Sequence, residues 1–355
     1  MKRHNHLYSK ICDMDNLEAA WRYVRLGKRY DKEVLRFGYN ILGNIIRLFN
    51  ELTWKTYRVG KYREFIIMDP KERLIQYLPL RDRVVQQALH QVIEPIFDKG
   101  FIFDSYACRK GKGTHRAMKR LQYFLNAARQ KWPGEEIYFL HCDIRKYFPH
   151  IDHEILYGEF QRKIKCRDTL RLIRAYIDSY LRNPGMPIGT LLSQLSANIY
   201  MNVVDQFVKH DLREPYYLRY MDNFIIIHHD KKHLQRVKEE IRGLLENRLR
   251  LELNPKGTVI GKAEGGIEFV GYKVFADHAR IKRQSIKRMK RRLKVMQTMY
   301  RGGRMELSEI TQRIRSWLGH CCHADARAIV QNVLSRAVFV RAEKGEILNI
   351  INGEN

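Results

Sequence analysis

The chain has 355 residues, of which 66 are Lys or Arg and 39 are Asp or Glu, leaving a formal charge of +27. Hydrophobic residues at 45% and aromatics at 11% exclude a disordered polyelectrolyte, which carries far fewer bulky apolar side chains. So large a positive excess favours a polyanionic partner over an acidic small molecule.

At about 150 residues per domain the length suggests two or three modules. No repeat or Gly/Ser-rich linker separates them, so subdomains of one folded body are expected. No apolar run approaches the roughly 18 residues of a bilayer span, the longest notable one being Phe224-Ile225-Ile226-Ile227. The first residues, MKRHNHLYSKICDMDN, lack the apolar region of a secretory signal. Cys12, Cys108, Cys142, Cys166, Cys321 and Cys322 show no CxxC pairing. Reduced thiols, a cytoplasmic location and no membrane partner are the expectations.

In chain order, residues 12–56 place Leu17, Trp21, Val24, Leu35, Ile41, Ile45, Leu48 and Leu52 at helical spacing. Two short strands are predicted between 62 and 80, around the turn Asp69-Pro70-Lys71-Glu72. Helical spacing returns over 81–98. A Gly-rich basic loop at 106–113 then opens another helix, with Thr114 as its candidate cap. Residues 137–143 read as a strand delivering Asp143 at its end, and Asp152 as the cap of a helix starting at His153. A long helix is predicted over 193–212, and a hairpin over 217–228 with Met221-Asp222-Asn223 at its tip. A helix near 231–248 and a strand pair around 251–275 follow.

Between Ile281 and Arg304 stand ten Lys/Arg and no acid. Ile286, Met289, Leu293 and Met296 recur there at helical spacing, so an amphipathic helix carries Arg283, Lys287, Arg291 and Lys294 on a cationic ridge. No Glu at i±4 relieves the repulsion. A nucleic-acid backbone is the anion expected to do so.

Phosphoryl transfer at a nucleotide uses two divalent metals about 3.5–4 Å apart, held by a few hard oxygen ligands. Asp143, closing an apolar strand, and Asp222, on an apolar hairpin, are carboxylates placed for that task. Taken singly, each is ordinarily a cap or turn residue. The loop Arg109-Lys110-Gly111-Lys112-Gly113 has backbone amides that can cradle a phosphate. It lacks the full P-loop pattern, so contact of Arg109, Lys110 and Lys112 with a template backbone is favoured over NTP hydrolysis. His320-Cys321-Cys322-His323 are consecutive and point in different directions on a helix, whereas zinc sites use spaced pairs. Helix packing is favoured there.

Eight segments occur in order: KERLI (71–75), LRDRVVQQAL (80–89), YACRKGKGTHRA (106–117), CDIRKYF (142–148), PIGTLLSQ (187–194), YMDN (220–223), LELNPKG (251–257) and EFVGY (268–272). Together they resemble a reverse transcriptase of the right-handed polymerase fold. The resemblance implies an α+β chain with fingers, a palm with an antiparallel sheet, and a helical thumb. The implied divisions are an N-terminal helical extension (1–60), fingers (61–136, with a returning segment about 155–186), palm (137–154 and 187–275), and helical thumb with C-terminal tail (276–355).

Most bacterial relatives, group II intron enzymes included, carry Gln-Gly and Ser-Pro where this chain has Ile188-Gly189 and Ser193-Gln194. That pattern resembles the reverse transcriptases of diversity-generating retroelements, as do GKGTHRA (111–117), SWLGHCCHADA (316–326) and the compact length. No maturase, endonuclease or integrase segment is read after the basic helix. The resemblance implies an error-prone RNA-directed DNA polymerase. It would copy a template-repeat RNA into adenine-mutagenised cDNA that diversifies a target gene. Two Mg2+ ions (Mn2+ being an alternative), deoxynucleoside triphosphates, the retroelement RNA with its cDNA product and a pentameric accessory variability protein come with it. An ordinary group II intron, retron or CRISPR-linked reverse transcriptase is the alternative, as is a non-catalytic RNA-binding pseudo-polymerase.

The same resemblance makes Asp143 and Asp222 metal ligands, with the Ile144 carbonyl beside them. It makes Phe148 the steric gate against a ribose 2′-OH. Arg73 would grip the triphosphate through charge-assisted bonds. Ile188, Gly189 and Gln194 would line the nucleotide site, and Lys256 would be the general acid for pyrophosphate. The family's lysine commonly sits one place later, at Gly257. The family's Tyr-x-Asp-Asp is here Tyr220-Met221-Asp222-Asn223, which places Asn223 in the catalytic and metal-binding set with a neutral oxygen instead of a charge. Losing such a charge can cost several kcal/mol of transition-state stabilisation. An enzyme weakened or inactivated at 223 is expected, by deliberate substitution, the favoured case, or by natural tolerance of Asn.

Overall fold

The computed structural model describes residues 3–68, 72–335 and 337–341. The predicted turn at Asp69-Pro70-Lys71 and the tail beyond 341 lie outside them. The chain divides into two compact units. The first comprises 1–113, 140–226 and 232–260; the second comprises 114–139, 227–231 and 261–355.

The first unit opens with helices α1 (Tyr8–Cys12), α2 (Met14–Val24), α3 (Lys32–Tyr39) and α4 (Ile41–Thr53). Asp13 starts α2 by accepting the Asp15 and Asn16 amides at 3.0 and 3.1 Å. Leu17, Ala20 and Trp21 of α2 are buried. Strands β1 (Arg63–Ile67) and β2 (Arg73–Tyr77) form an antiparallel pair. Helix α5 (Leu80–Asp98) follows, packed against α2, and buries Val84, Val85, Ala88, Leu89 and Ile93. Buried Asp82 of α5 accepts the Tyr57 hydroxyl at 2.5 Å, tying the segment after α4 to this helix.

Helix α6 (Thr114–Lys131) begins at Thr114, which is therefore the first helical residue and not the cap predicted for it. Strand β3 (Tyr138–Asp143) ends on Asp143, as the apolar pattern predicts. Asp152 does cap α7 (His153–Lys163), accepting the Glu154 and Ile155 amides at 2.9 and 3.0 Å. Helices α8 (Arg167–Asp178) and α9 (Leu191–Gln206) come next. The long helix predicted to 212 changes to a wider π turn over Phe207–Asp211.

Strands β4 (Tyr217–Tyr220) and β5 (Asn223–His228) are the predicted hairpin. Its tip is only Met221 and Asp222, because Asn223 already pairs with Tyr220 in the ladder. After α10 (Lys231–Leu244), β6 (Val259–Lys262) completes a four-stranded sheet in the order β4-β5-β3-β6. The middle strands put Asp143 and the start of β5 side by side.

In the second unit, β7 (Ile267–Phe269), β8 (Tyr272–Val274) and β9 (Ala279–Ile281) form an antiparallel sheet, more strands than the single pair predicted. The basic segment is α11 (Arg283–Arg301), followed by α12 (Leu307–Cys321) and α13 (Arg327–Leu334). Met289, Leu293, Met296 and Tyr300 of α11 are buried with Met305, Ile310 and Val333. Arg283, Lys287, Arg291 and Lys294 are exposed. The 3.6-residue period thus separates a core face from a charged one. All six cysteines are free thiols. No helix of the described residues is long and apolar enough to cross a membrane.

Candidate active site

Asp143 sits where β3 stops, and both its carboxylate oxygens accept side-chain amides. Asn223 Nδ2 donates to Oδ1 at 2.9 Å and Asn254 Nδ2 to Oδ2 at 2.7 Å. The Asn254 backbone amide also donates to the Asp143 carbonyl at 2.8 Å, and Ile144, its side chain buried, bridges to Leu253. Gly257 closes over this carboxylate. A Cβ there would lie 2.6 Å from Asp143 Oδ2 and 2.7 Å from its Cβ. A lysine at 257 would collide with the strand end, which is the physical reason for glycine here. Lys256, one place earlier and exposed, stands in the same turn, its amide donating to Asn254 Oδ1 at 3.2 Å.

Asp222, on the hairpin tip, is partly buried. Burial raises its carboxyl above the ordinary range and the like charge of Asp143 adds to that. Its own backbone amide, the Asn223 amide and the Arg73 guanidinium act in the opposite direction. Asp222 therefore feels the charges of both Asp143 and Arg73. Two carboxylates that repel one another across a partly buried gap form a donor set that a hard divalent cation relieves, so Asp143 and Asp222 fit Mg2+. Asn223 adds no negative charge: its Nδ2 faces Asp143, and its Oδ1 lies 2.9 Å from His141 Nε2. No cluster of three or more His, Cys, Asp or Glu that could hold a metal occurs among the described residues, the His320–His323 run included.

Phe148, five residues after Asp143, opens a short 3-10 turn, with its ring edge-on to Tyr147 at 5.5 Å between centroids. Its carbonyl accepts the Met186 amide at 2.8 Å. The Ile188 carbonyl accepts the Gln76 amide at 2.9 Å, so the 188–189 segment is bonded to the strand that begins with Arg73. Gly189 has φ +116°, and a Cβ there would meet Ile75 Cγ2 and the Gln76 carbonyl at 3.0 and 3.1 Å. Gln194 lies half-buried in the first turn of α9, which Thr190 caps through the Ser193 amide at 3.2 Å.

The basic loop departs from its predicted use. Arg109 is folded inward, its side chain 9% exposed. Its guanidinium donates to Asp98 Oδ1 at 2.5 Å and to the carbonyls of Ile102 and Ser105 at 2.7 and 3.0 Å. These bonds tie Arg109 to the backbone of its own surroundings, so Arg109 builds the loop. Lys112 donates to the Phe103 carbonyl at 2.7 Å, and Lys110 is exposed.

Sequence patterns missed the residues that support this tip and strand end: Asn254 on Asp143, His141 on Asn223, and a buried group around Arg219. Arg219 and Asp205 are both fully buried and paired at 2.6 Å. The signal was a charge inside each of two apolar stretches, YLRY and NVVDQF, which only mutual pairing makes tolerable.

A family profile described as reverse transcriptase (RNA-dependent DNA polymerase) matches residues 68–274, more than half the chain and every residue of this site. The chain belongs to this family. This reverse-transcriptase chain is 27% identical over 244 residues to protein YkfC of Escherichia coli K12, covering 57% of the chain and 62% of that protein. It is 25% identical over 349 residues to the group II intron-encoded protein LtrA of Lactococcus lactis, covering 77% and 55% respectively. The chain thus spans somewhat over half the length of these curated relatives. A solved structure of apo telomerase from Candida tropicalis superposes with a TM-score of 0.50 at 15% identity, covering 65% of this chain and 49% of that one. The fold is accordingly the α+β right-handed polymerase fold.

Proposed function

We propose that the chain is an RNA-directed DNA polymerase that joins deoxynucleoside triphosphates to a primer on an RNA template. The observation that supports this is Asp143 beside the start of β5, where Asn223 Nδ2 reaches it at 2.9 Å, with Asp222 next to Asn223 on the tip and feeling the charges of Asp143 and Arg73. When bound there, Mg2+ supplies activation of the primer hydroxyl and charge neutralisation at the phosphates. The protein's own share is positioning. Asp143 and Asp222 hold the ions with the Ile144 carbonyl, and Arg73 orients the triphosphate. Phe148 excludes a 2′-OH, and Lys256 protonates the leaving pyrophosphate. Lys110, Lys112 and the α11 ridge hold the nucleic-acid backbone. Primer extension on RNA in Mg2+, abolished by Asp222→Asn, is the test. No extension by this chain and none by Asn223→Asp would leave an RNA-binding pseudo-polymerase.

Within this activity, the residues at 188–194 support the diversity-generating class. That class copies a template repeat with errors at adenine in the cytoplasm, alongside a pentameric accessory protein. Similarity to group II intron-encoded LtrA favours an ordinary intron-type enzyme as the second reading. Position 188 separates the two. Ile is stiff and offers no polar group, where Gln could supply an orienting hydrogen bond. Such a bond contributes roughly 0.5–1.5 kcal/mol, enough to shift nucleotide discrimination by several-fold to about tenfold. An adenine template, pairing through only two hydrogen bonds, should suffer first. In an Asn223→Asp background, Ile188→Gln should lower misincorporation opposite template adenine more than opposite the other bases, as read by cDNA sequencing. Equal adenine error in both proteins would place the infidelity elsewhere.

A further inference from the structure

The tip that carries Asp222 has an unfavourable backbone. Met221 adopts φ +60°, a left-handed conformation that a non-glycine residue keeps only when its surroundings impose it. A two-residue hairpin tip calls for a positive φ at its first position, and the group that holds the tip peptide in place is two residues back. Arg219 Nη1 donates to the Met221 carbonyl at 2.8 Å and to Asn198 Oδ1 at 3.2 Å. Its Nε and Nη2 grip Asp205 Oδ1 and Oδ2 at 2.7 and 2.6 Å, and Nη2 also reaches Ser105 Oγ at 3.0 Å. A guanidinium has five N–H donors, and here five bonds are made in full burial. The oxygens they hold stand on α9, on the 104–107 segment and on the tip itself. The backbone repeats the link: the Arg219 amide donates to the Asp104 carbonyl, and the Tyr106 amide to the Arg219 carbonyl, each at 2.9 Å. Asp205 is steadied in turn by the Tyr217 hydroxyl at 2.6 Å.

The Met221 carbonyl belongs to the peptide joining Met221 to Asp222. Holding that oxygen sets the plane of the peptide, and with it the direction in which the Asp222 side chain leaves the backbone. We propose that Arg219 is a positioning residue for polymerisation, which aims the Asp222 carboxylate by clamping the left-handed tip peptide against α9 and the 104–107 segment. This deepens the polymerase reading and rests on it. Lysine has the charge but neither the fork nor the five donors. Arg219→Lys can therefore stay paired with Asp205 while releasing the tip.

The test compares the chain as it stands with Arg219→Lys, Ser105→Ala and Arg219→Lys/Met221→Gly. The same set is repeated in an Asn223→Asp background. Mn2+ affinity is measured by electron paramagnetic resonance, kcat and KM for the nucleotide by primer extension, and folding by Tm. Misplacing a reacting group by about 1 Å can cost on the order of 100-fold. Arg219→Lys should therefore weaken Mn2+ binding and lower kcat by about tenfold or more, with KM for the nucleotide little changed. Ser105→Ala should do the same to a smaller degree with the Asp205 pair intact, which keeps the outcome readable if Arg219→Lys folds poorly. Met221→Gly, for which the left-handed backbone has no steric cost, should restore part of both losses in the Arg219→Lys protein. Parental Mn2+ affinity and kcat in Arg219→Lys and Ser105→Ala would overturn the proposal. So would losses that follow Tm alone and are not restored by Met221→Gly. Absence of Mn2+ binding and of extension in both the unmodified and Asn223→Asp parents would instead overturn the polymerase reading.

Discussion

Asn223 sits between two partners with opposite demands. Its Nδ2 donates to Asp143 and its Oδ1 meets His141, so the amide satisfies the site without a cation. An aspartate at 223 would lose the donor and set a third carboxylate against the first two. Without metal, Asn223→Asp should lower Tm; with Mg2+ the loss should be recovered, because the ion replaces the missing donor. The same charge should raise the extension rate on a primed RNA template by on the order of tenfold or more. Thermal melts with and without Mg2+ and single-nucleotide incorporation check both halves. A lower rate at every Mg2+ concentration would mean that Asn has a role of its own. Asp143, Asp222 and Arg73, the residues proposed for the chemistry, could be named from the sequence because each lies in a short segment with characteristic neighbours. Asn254, His141 and Arg219 could not, since nothing local marks the partner that a distant strand or helix will bring.

Among the elements, α11 was the most legible. Its apolar period names the buried face, and what remains is the ridge of Arg283, Lys287, Arg291 and Lys294. Replacing Lys287, Arg291 and Lys294 together by Ala should flatten the slope of log affinity against log salt for structured RNA. The change should be up to about three units, since each phosphate that is no longer neutralised keeps roughly one counterion that binding would otherwise release. An unchanged slope would show that the ridge meets only solvent. The hairpin β4–β5 was legible in position but one residue too long at its tip, because turn length depends on pairing register and not on composition. Within the loop at 106–113, Arg109 was misjudged for a different reason. A Gly-rich basic run looks alike whether its arginine faces a phosphate or, as Arg109 does, its own loop carbonyls.

At the scale of the whole molecule, one buried acid links stability to pH. Burial raises the Asp82 carboxyl, partly offset by the Tyr57 hydroxyl and the Arg81 charge. The folded chain then holds this proton more tightly than the unfolded chain does. As pH climbs from the ordinary carboxylate range of about 4 to the raised folded value, the unfolded state ionises first and stability falls. Asp82→Asn keeps the acceptor for Tyr57 and removes the titration. Its Tm should exceed that of the parent at pH 8, with the difference shrinking as pH falls toward 4. A constant difference across that range would show that Asp82 is ionised in the folded chain. Length suggested two or three subdomains but not which segments group together in the two units. α6 (Thr114–Lys131) falls with the C-terminal elements although its sequence adjoins the basic loop, and grouping of that kind depends on contacts far apart in the chain.

The absent side chain at Gly257 has a consequence for mapping this protein by mutation. A survey that scores every substitution for lost activity should find position 257 nearly as intolerant as Asp143, since any Cβ there must displace the Asp143 side chain or the strand end that carries it. Intolerance would then mark as catalytic a residue with no side chain, whose amide only closes the turn onto the Asn254 carbonyl at 3.0 Å. What separates the two is the manner of failure. Asp143→Asn removes the charge and one of two acceptors while adding no bulk, whereas Gly257→Ala pushes on the strand end with the carboxylate still present. Loss of function and loss of room look identical in a growth assay and differ in a metal titration.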